Sequence, residues 1–165
     1  MDAALWGFLG TIIGAGASIA TSWISNRHEL MRQKQSDSLV RVERARAFQR
    51  DNLLELQQTV QDAMRFSARI MHEDSMAFKQ SGKWGTTLLG EEVSEGSRAA
   101  NARLMALTVR VADDEVRDAI NNLRNMLTSC QLAKSKEHAD IVHKDIAEAY
   151  PLLMERIGKT LRSLY

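Results

Sequence analysis

Few residues in this chain have the type and spacing of a chemical site. A di-iron carboxylate site in a helical bundle needs paired Glu-x-x-His motifs with further carboxylates from facing helices. The nearest pattern here is a single Asp140-x-x-His143, with His138 on a different face of the same predicted helix. We therefore expect no metal and no cofactor. The sequence also contains no Walker A lysine, no H-E-x-x-H and no G-x-S-x-G, so it gives no sign of nucleotide, zinc-protease or serine-hydrolase chemistry.

The remaining reactive side chains have structural explanations. The carboxylate pairs Glu91-Glu92 and Asp113-Asp114 stand at predicted helix starts, where negative charge is favoured by the helix dipole. Cys130 is the one cysteine; it falls on an apolar stripe with no basic neighbours to activate it, which predicts a small buried hydrophobe. One cysteine excludes an internal disulfide and fits a reducing compartment. The chain is interpreted as a non-enzyme with no small-molecule substrate.

The element that would position everything else is an apolar run at the amino terminus. Residues 3–24 pass 22 positions without a charged side chain. As a helix this run is roughly 33 Å long, enough to cross a hydrocarbon core of about 30 Å. Trp6 and Trp23 lie near its ends, where indole rings favour the headgroup level. Residues 1–24 are predicted to be a transmembrane anchor; a cleaved signal peptide is the alternative, but its basic residues would precede the run and here they follow it.

Side-chain size divides this predicted anchor into two faces. At about 100° per residue, the bulky side chains fall on one half of the helix and the small ones on the other, except for Gly16 and Ala20, which fall on the bulky half. Gly10 and Gly14 form a GxxxG motif, and Ser18 continues the spacing. Because small residues let backbones approach closely within lipid, we predict that this half packs against another transmembrane helix. The predicted packing face consists of Gly7, Gly10, Thr11, Gly14, Ala15, Ala17, Ser18, Thr21 and Ser22.

Charge predicts the orientation. Residues 25–50 hold seven basic and three acidic side chains, which predicts a basic helical stalk on the cytoplasmic side, with the amino terminus outside. The lipid bilayer is thus an expected partner. Four of the basic residues could form a nucleic-acid patch, but the predicted stalk that holds them lies near the membrane, so a solvated helix is the better account and none is expected to bind nucleic acid; they are Arg41, Arg44, Arg46 and Arg50. The predicted membrane-interface anchors are Trp6, Trp23, Arg27, Arg32 and Lys34.

Apolar stripes at helical spacing predict a helical bundle over residues 51–165, and no strand pattern is present. The fold class is therefore all-α: a transmembrane helix that continues into a stalk and an antiparallel four-helix bundle. The first stripe holds Leu53, Leu56, Val60, Ala63, Ser67 and Ile70, with Leu54, Met64 and Met71 beside it. The others are Ala100, Leu104, Leu107 and Val111, then Val116, Ile120, Leu123, Leu127 and Cys130, and last Val142, Ile146, Tyr150, Leu153, Ile157, Leu161 and Leu164.

Three local features carry further expectations. One uninterrupted helix from the anchor to about Phe78 would be very long, so we expect a bend or break in the polar stalk. The stretch 81–90 is glycine-rich and reads as a loop. Trp84 within it closes the end of the bundle or, alternatively, forms a knob that binds a partner. Pro151 lies inside the last stripe and predicts a kink or a split near Tyr150.

The order of these features resembles that of small uncharacterised bacterial and phage proteins, which join one membrane helix to a helical cytoplasmic domain. The residues that carry the likeness are Gly10 to Ala17, Trp23 to Arg27 and the alanine-rich stretch from Ala99 to Cys130. The resemblance implies a bacterial or phage origin, and with it the bacterial inner membrane as the expected location, and it transfers no functional residue. We expect a single-pass assembly or anchoring protein that forms a homo-oligomer or docks on another membrane protein. The alternative is a holin-like pore lined by Thr11, Ser18, Thr21 and Ser22.

Overall fold

The computed structural model describes residues 2–165, and describes side chains for Gly14, Ser18, residues 21–23 and residues 25–165. Over residues 2–165 the chain is all-α, with four helices and no strand. The helices are α1 (Asp2–Ser81), α2 (Glu91–Thr108), α3 (Asp114–Gln131) and α4 (Lys136–Ser163). The chain divides into two units, Met1–Ala45 and Arg46–Tyr165.

The first unit consists of the amino-terminal part of α1. The break expected in the stalk is wrong, because α1 is one helix; no glycine or proline stands between Gly16 and Gly82 to interrupt it. Among the residues whose side chains are described, no helix has the length and apolar character of a membrane span. Most side chains of the predicted anchor, residues 3–24, lie outside that described set.

The second unit is a helical bundle, and its polar contacts show that α2 runs antiparallel to α1. Asn52 Nδ2 donates to the carbonyl oxygen of Leu107 (3.3 Å), while Arg69 Nη1, more than four turns further along α1, binds Glu92 Oε1 (2.8 Å) near the start of α2. Between them, the ring of Phe66 lies against Gly96. The residue numbers thus rise along α1 as they fall along α2.

Helices α3 and α4 are also antiparallel. Glu115 Oε2, in the first turn of α3, accepts from Arg156 Nη1 near the end of α4 (3.0 Å). At the opposite end, Cys130 Sγ lies 3.8 Å from the carbonyl oxygen of Ala139. Gln131 Nε2 donates to Ser97 Oγ (3.5 Å) and so connects the end of α3 to α2. Helices α1 to α4 therefore alternate in direction, as in an up-down-up-down bundle.

The core of this bundle confirms the predicted stripes. Every position of the first three stripes is buried, and so are Val142, Ile146, Leu153 and Ile157 of the fourth. Tyr150, Leu161 and Leu164 are partly buried against the same core. Leu54 is an exception, since half of its surface is exposed, because it lies one residue beyond the buried stripe of α1.

The structure bears on the two other local expectations. Trp84 is half-buried and packs edge-on against Phe78, with ring centroids 5.9 Å apart; its two interpretations, as a residue that closes the bundle end or as a knob that binds a partner, stay predictions. Pro151 does not split α4, which is continuous from Lys136 to Ser163. Pro151 and Ala147 are both exposed, so water can reach the carbonyl that the missing proline N–H leaves without a partner.

The contact between Phe66 and Gly96 gives a test of α1–α2 packing. A Cβ added at Gly96 would lie 2.2 Å from Phe66 Cζ, so Gly96→Ala should reduce the free energy of unfolding by about 1–3 kcal/mol through overpacking. Thermal unfolding measures the effect. The control is Gly158→Ala in α4, where the nearest atom is the flexible Arg162 Nη1 at 3.4 Å; there alanine should be neutral or stabilising by up to about 1 kcal/mol. Equal stability of the two variants would contradict this packing.

Candidate functional site

The structure does not assemble the possible metal ligands into a site. Asp140 and His138 are exposed on α4, and Asp140 is paired with Lys136. His143 is half-buried, and its buried Nδ1 has no hydrogen-bond partner among the described residues. Across the described part of the chain, no group of three or more His, Cys, Asp or Glu side chains is placed to hold a metal ion.

Cys130 lies in the core, as its stripe predicted. Its thiol is 6% exposed and faces the carbonyl oxygen of Ala139. Burial raises the pKa of Cys130, and the nearby carboxylates of Asp140 and Asp74 raise it further. Because the thiolate is the reactive form, this thiol is a poor nucleophile at neutral pH.

The carboxylate pairs stabilise helix ends. Asp113 is the N-cap of α3: its Oδ1 accepts from the backbone N–H of Val116 (3.2 Å), and its Oδ2 accepts from Thr160 Oγ1 of α4 (2.7 Å). The hydroxyl of Thr160 and the amide of Val116 hold the pKa of Asp113 below its ordinary value of 3.8. Asp113 therefore both caps α3 and ties it to α4.

At the start of α2, Glu92 is engaged by α1. The hydrogen bond and the charge of the Arg69 guanidinium lower the pKa of Glu92. Both side chains are exposed (43% for Arg69 and 80% for Glu92). This ion pair therefore adds little to the free energy of unfolding and serves mainly to align α1 with α2.

The structure describes only some of the side chains in the packing face predicted for the first unit. Of the packing face, Gly14, Ser18, Thr21 and Ser22 are exposed, and a Cβ added at Gly14 would meet nothing within 4 Å. The other members of the face lie outside the described side chains, and they are Gly7, Gly10, Thr11, Ala15 and Ala17.

The interface anchors lie on α1 beside this face. Trp6 falls outside the described side chains. Trp23 is 63% exposed, and the guanidinium carbon of Arg27 lies 5.1 Å from the centroid of its ring, a cation–π contact. Arg32 and Lys34 are exposed as well. The cation–π contact thereby holds Arg27 near Trp23.

Two polar residues that the sequence placed in the solvated stalk pack against the bundle. Gln49 bridges the connection between α2 and α3: its Nε2 donates to the Arg110 carbonyl (2.9 Å) and its Oε1 accepts from the Ala112 N–H (3.0 Å). Arg50 Nη1 donates to the Leu164 carbonyl (3.0 Å) at the end of α4, and its guanidinium lies over the Tyr165 ring (5.3 Å). Hydrophobic periodicity carries no signal for such contacts, since neither side chain is apolar.

Comparisons with known proteins add no assignment. No family model, no curated protein and no solved structure gives a significant match to this chain.

The Asp113 cap predicts a pH-dependent effect on stability. A carboxyl whose pKa is lowered by folding stabilises the fold above its unfolded pKa and loses that contribution as pH falls through the folded value. Asp113→Ala should therefore reduce the free energy of unfolding at pH 7 by about 1 kcal/mol, and the difference from the parent should shrink below about pH 3.8. Chemical denaturation at several pH values measures it. Asp118→Ala removes the same charge from an exposed site of α3; if it costs as much, the cap is not responsible.

Proposed function

We propose that this chain is a non-enzymatic single-pass membrane protein that assembles through its amino-terminal helix and presents a helical bundle to the cytoplasm. The bilayer holds residues 1–24, and the small-residue face from Gly7 to Ser22 packs against a second copy or against the membrane helix of another protein. The product is a homo-oligomer or an accessory subunit of a larger membrane complex. Neither nucleic acid nor a small-molecule substrate takes part.

The observation that carries this proposal is the division of residues 3–24 into a bulky and a small half. Lipid tails solvate leucine as well as a neighbouring helix does, so association in the bilayer depends on close backbone packing and on hydrogen bonds between helices. A glycine and hydroxyl face supplies both. Ser18 and Ser22, the described serines on this face, are exposed, so in this chain their hydroxyls are available to a neighbouring helix.

Charge and packing support the rest of the arrangement. The excess of basic residues after the apolar run favours a cytoplasmic bundle by the positive-inside rule. The second unit has its own core, which includes Leu53, Leu104, Ile120 and Ile146, each at most 1% exposed, so the bundle does not need the anchor to bury its apolar side chains. A self-contained bundle on one membrane helix suits a protein that holds a binding surface at the membrane.

A pore is the second candidate, and the hydroxyl side chains favour it. Thr11, Ser18, Thr21 and Ser22 share the small half of the helix, and an oligomer could turn them toward a water-filled lumen. Expression of a holin-like pore depolarises the host membrane, whereas an assembly protein leaves the membrane potential unchanged.

The test compares two double substitutions to leucine at the same spacing in the same helix. Gly10→Leu with Gly14→Leu fills the small face, so it should abolish the oligomer or the co-purifying partner in mild detergent, because two leucines prevent close helix contact. Gly16→Leu with Ala20→Leu makes the same four-residue-spaced change on the bulky half and should leave assembly intact. Native mass measurement of the full-length protein reads the result.

Three outcomes would contradict the proposal. Assembly that survives the Gly10 and Gly14 substitutions places the contact elsewhere. Equal loss in both variants indicates a general effect of leucine. A monomer without any companion in the unsubstituted protein contradicts assembly through the membrane helix.

A further inference from the structure

One side of α1 in the first unit carries a row of residues at the spacing of a coiled-coil seam. Its members follow one another at alternating intervals of four and three residues, so they fall within a sector of about 80° around the helix. Cations occupy every second position, and an apolar or small side chain occupies each position between them. All six side chains are exposed. We call this row the basic seam: Arg27, Met31, Lys34, Ser38, Arg41 and Ala45.

The cations of the basic seam are not neutralised within the chain. In the bundle, Arg69 and Arg156 are each paired with a carboxylate on another helix. In contrast, Arg27, Lys34 and Arg41 make no ion pair with any acidic side chain that the structure describes. Three positive charges at seven-residue spacing therefore remain available to an anionic partner.

Apolar side chains in and beside the seam are exposed as well. Met31 within it is 61% exposed, and Leu30 and Val42, which flank it on either side, are 57% and 51% exposed. A shallow groove that includes Lys34 and Arg41 follows the same side of the helix. The partner of the basic seam must therefore bring negative charge and apolar surface together at the same seven-residue spacing.

A second copy of the chain does not fit the basic seam. Copies anchored in one membrane run in the same direction, so a seam-to-seam pair would place each cation against its own equivalent. The small face lies on the other side of the helix, because Ser18, Thr21 and Ser22 are each about 120° or more from the centre of the seam. Assembly through the small face therefore leaves the basic seam open.

Lipid headgroups and nucleic acid fit the basic seam poorly. Helix α1 continues past the predicted span without interruption, so along its axis Lys34 lies about 15 Å and Arg41 about 26 Å from the end of that span. Both distances exceed the Debye length of about 8 Å at physiological ionic strength. A nucleic acid would neutralise the cations but leave Leu30, Met31 and Val42 in water.

We propose that the basic seam binds a helix of another protein in a coiled coil, and that this helix carries a carboxylate at every seventh residue. Those carboxylates neutralise Arg27, Lys34 and Arg41, while apolar residues at the other seam positions cover Met31 and Ala45. The charges also select the partner, because a helix with cations at the same positions is repelled. The inference rests on the proposed function and adds the class of partner and the side of the stalk that binds it.

The test uses synthetic helices as probes of the full-length protein in phosphatidylcholine nanodiscs. The glutamate peptide repeats heptads with leucine at one seam position and glutamate at the other. The shifted peptide has the same composition, with its seam glutamates exchanged for glutamines of the outer face, and the lysine peptide has lysine in place of the seam glutamates. Fluorescence anisotropy of the labelled peptides measures binding. Only the glutamate peptide should bind, and high salt should weaken its binding.

Charge reversal identifies the residues responsible. Lys34→Glu with Arg41→Glu should lower affinity for the glutamate peptide roughly tenfold or more and should create affinity for the lysine peptide. Arg32→Glu with Arg46→Glu, which changes net charge equally at exposed sites outside the seam, should do neither. Absence of binding by the glutamate peptide, equal binding of the shifted peptide, or equal effects of the two pairs would overturn the inference.

Failure of the inference and failure of the proposed function are distinguishable. If the protein does not insert into the discs, the transmembrane proposal fails. The same peptides are then tested on the protein in mild detergent, where binding of the glutamate peptide that is lost with Lys34→Glu and Arg41→Glu supports the basic seam by itself. An oligomer that dissociates with these two substitutions assigns the seam to contacts between copies, and tighter binding of duplex DNA than of the glutamate peptide assigns it to nucleic acid. Either result overturns the inference.

Discussion

Helix α1 carries apolar side chains along two separate stretches, and each stretch gains free energy by leaving water only where something covers it. From Leu53 to Ile70 its apolar stripe is buried in the bundle, and the side chains of Leu53, Leu56 and Val60 are fully buried. The apolar run before Ser25 has the same need for cover if it is to leave water. Lipid and a second membrane helix meet that requirement for the two halves of the run, which is the basis for the proposed function.

The bundle owes its arrangement to a few contacts that the apolar core alone would not specify. Gly96 lets the ring of Phe66 approach α2. Asp113 joins the start of α3 to α4 through Thr160. Gln49 holds the connection between α2 and α3. Apolar stripes can slide against each other at little cost, whereas directional contacts of this kind fix which residues face one another.

Hydrophobic periodicity predicted the core well because burial is what that pattern records. The stripes of α2 and α3 are buried at every predicted position, from Ala100 to Cys130. Contacts made by polar side chains were missed, since Gln49 and Arg50 resemble the solvated residues before them in type. The break in α1 was expected only because one helix of that length is unusual, and it was wrong, because an exposed helix without glycine or proline has no cause to stop. Leu54 is exposed although Leu53 beside it is buried, so the apolar pattern separates buried from exposed positions only to within one residue around the helix.

The candidate surfaces of the first unit come from the sequence pattern, and the structure describes the side chains of the stalk but few of those in the apolar run. The small face depends on residues 3–24, and the basic stalk depends on residues 25–50, which follow in the same helix. The cation–π contact between Arg27 and Trp23 lies at the boundary, where an indole at the headgroup level would leave the stalk in the cytoplasm.

The central claim is that residues 3–24 cross a bilayer, and alkaline extraction of membranes from cells that express the full-length chain tests it most directly. High pH releases proteins held by charge or by peripheral contacts and leaves integral ones in the membrane. Retention of the protein in the membrane pellet after carbonate treatment is the predicted result. Release into the supernatant, with the bundle still folded, would contradict the claim and with it the proposed mode of assembly.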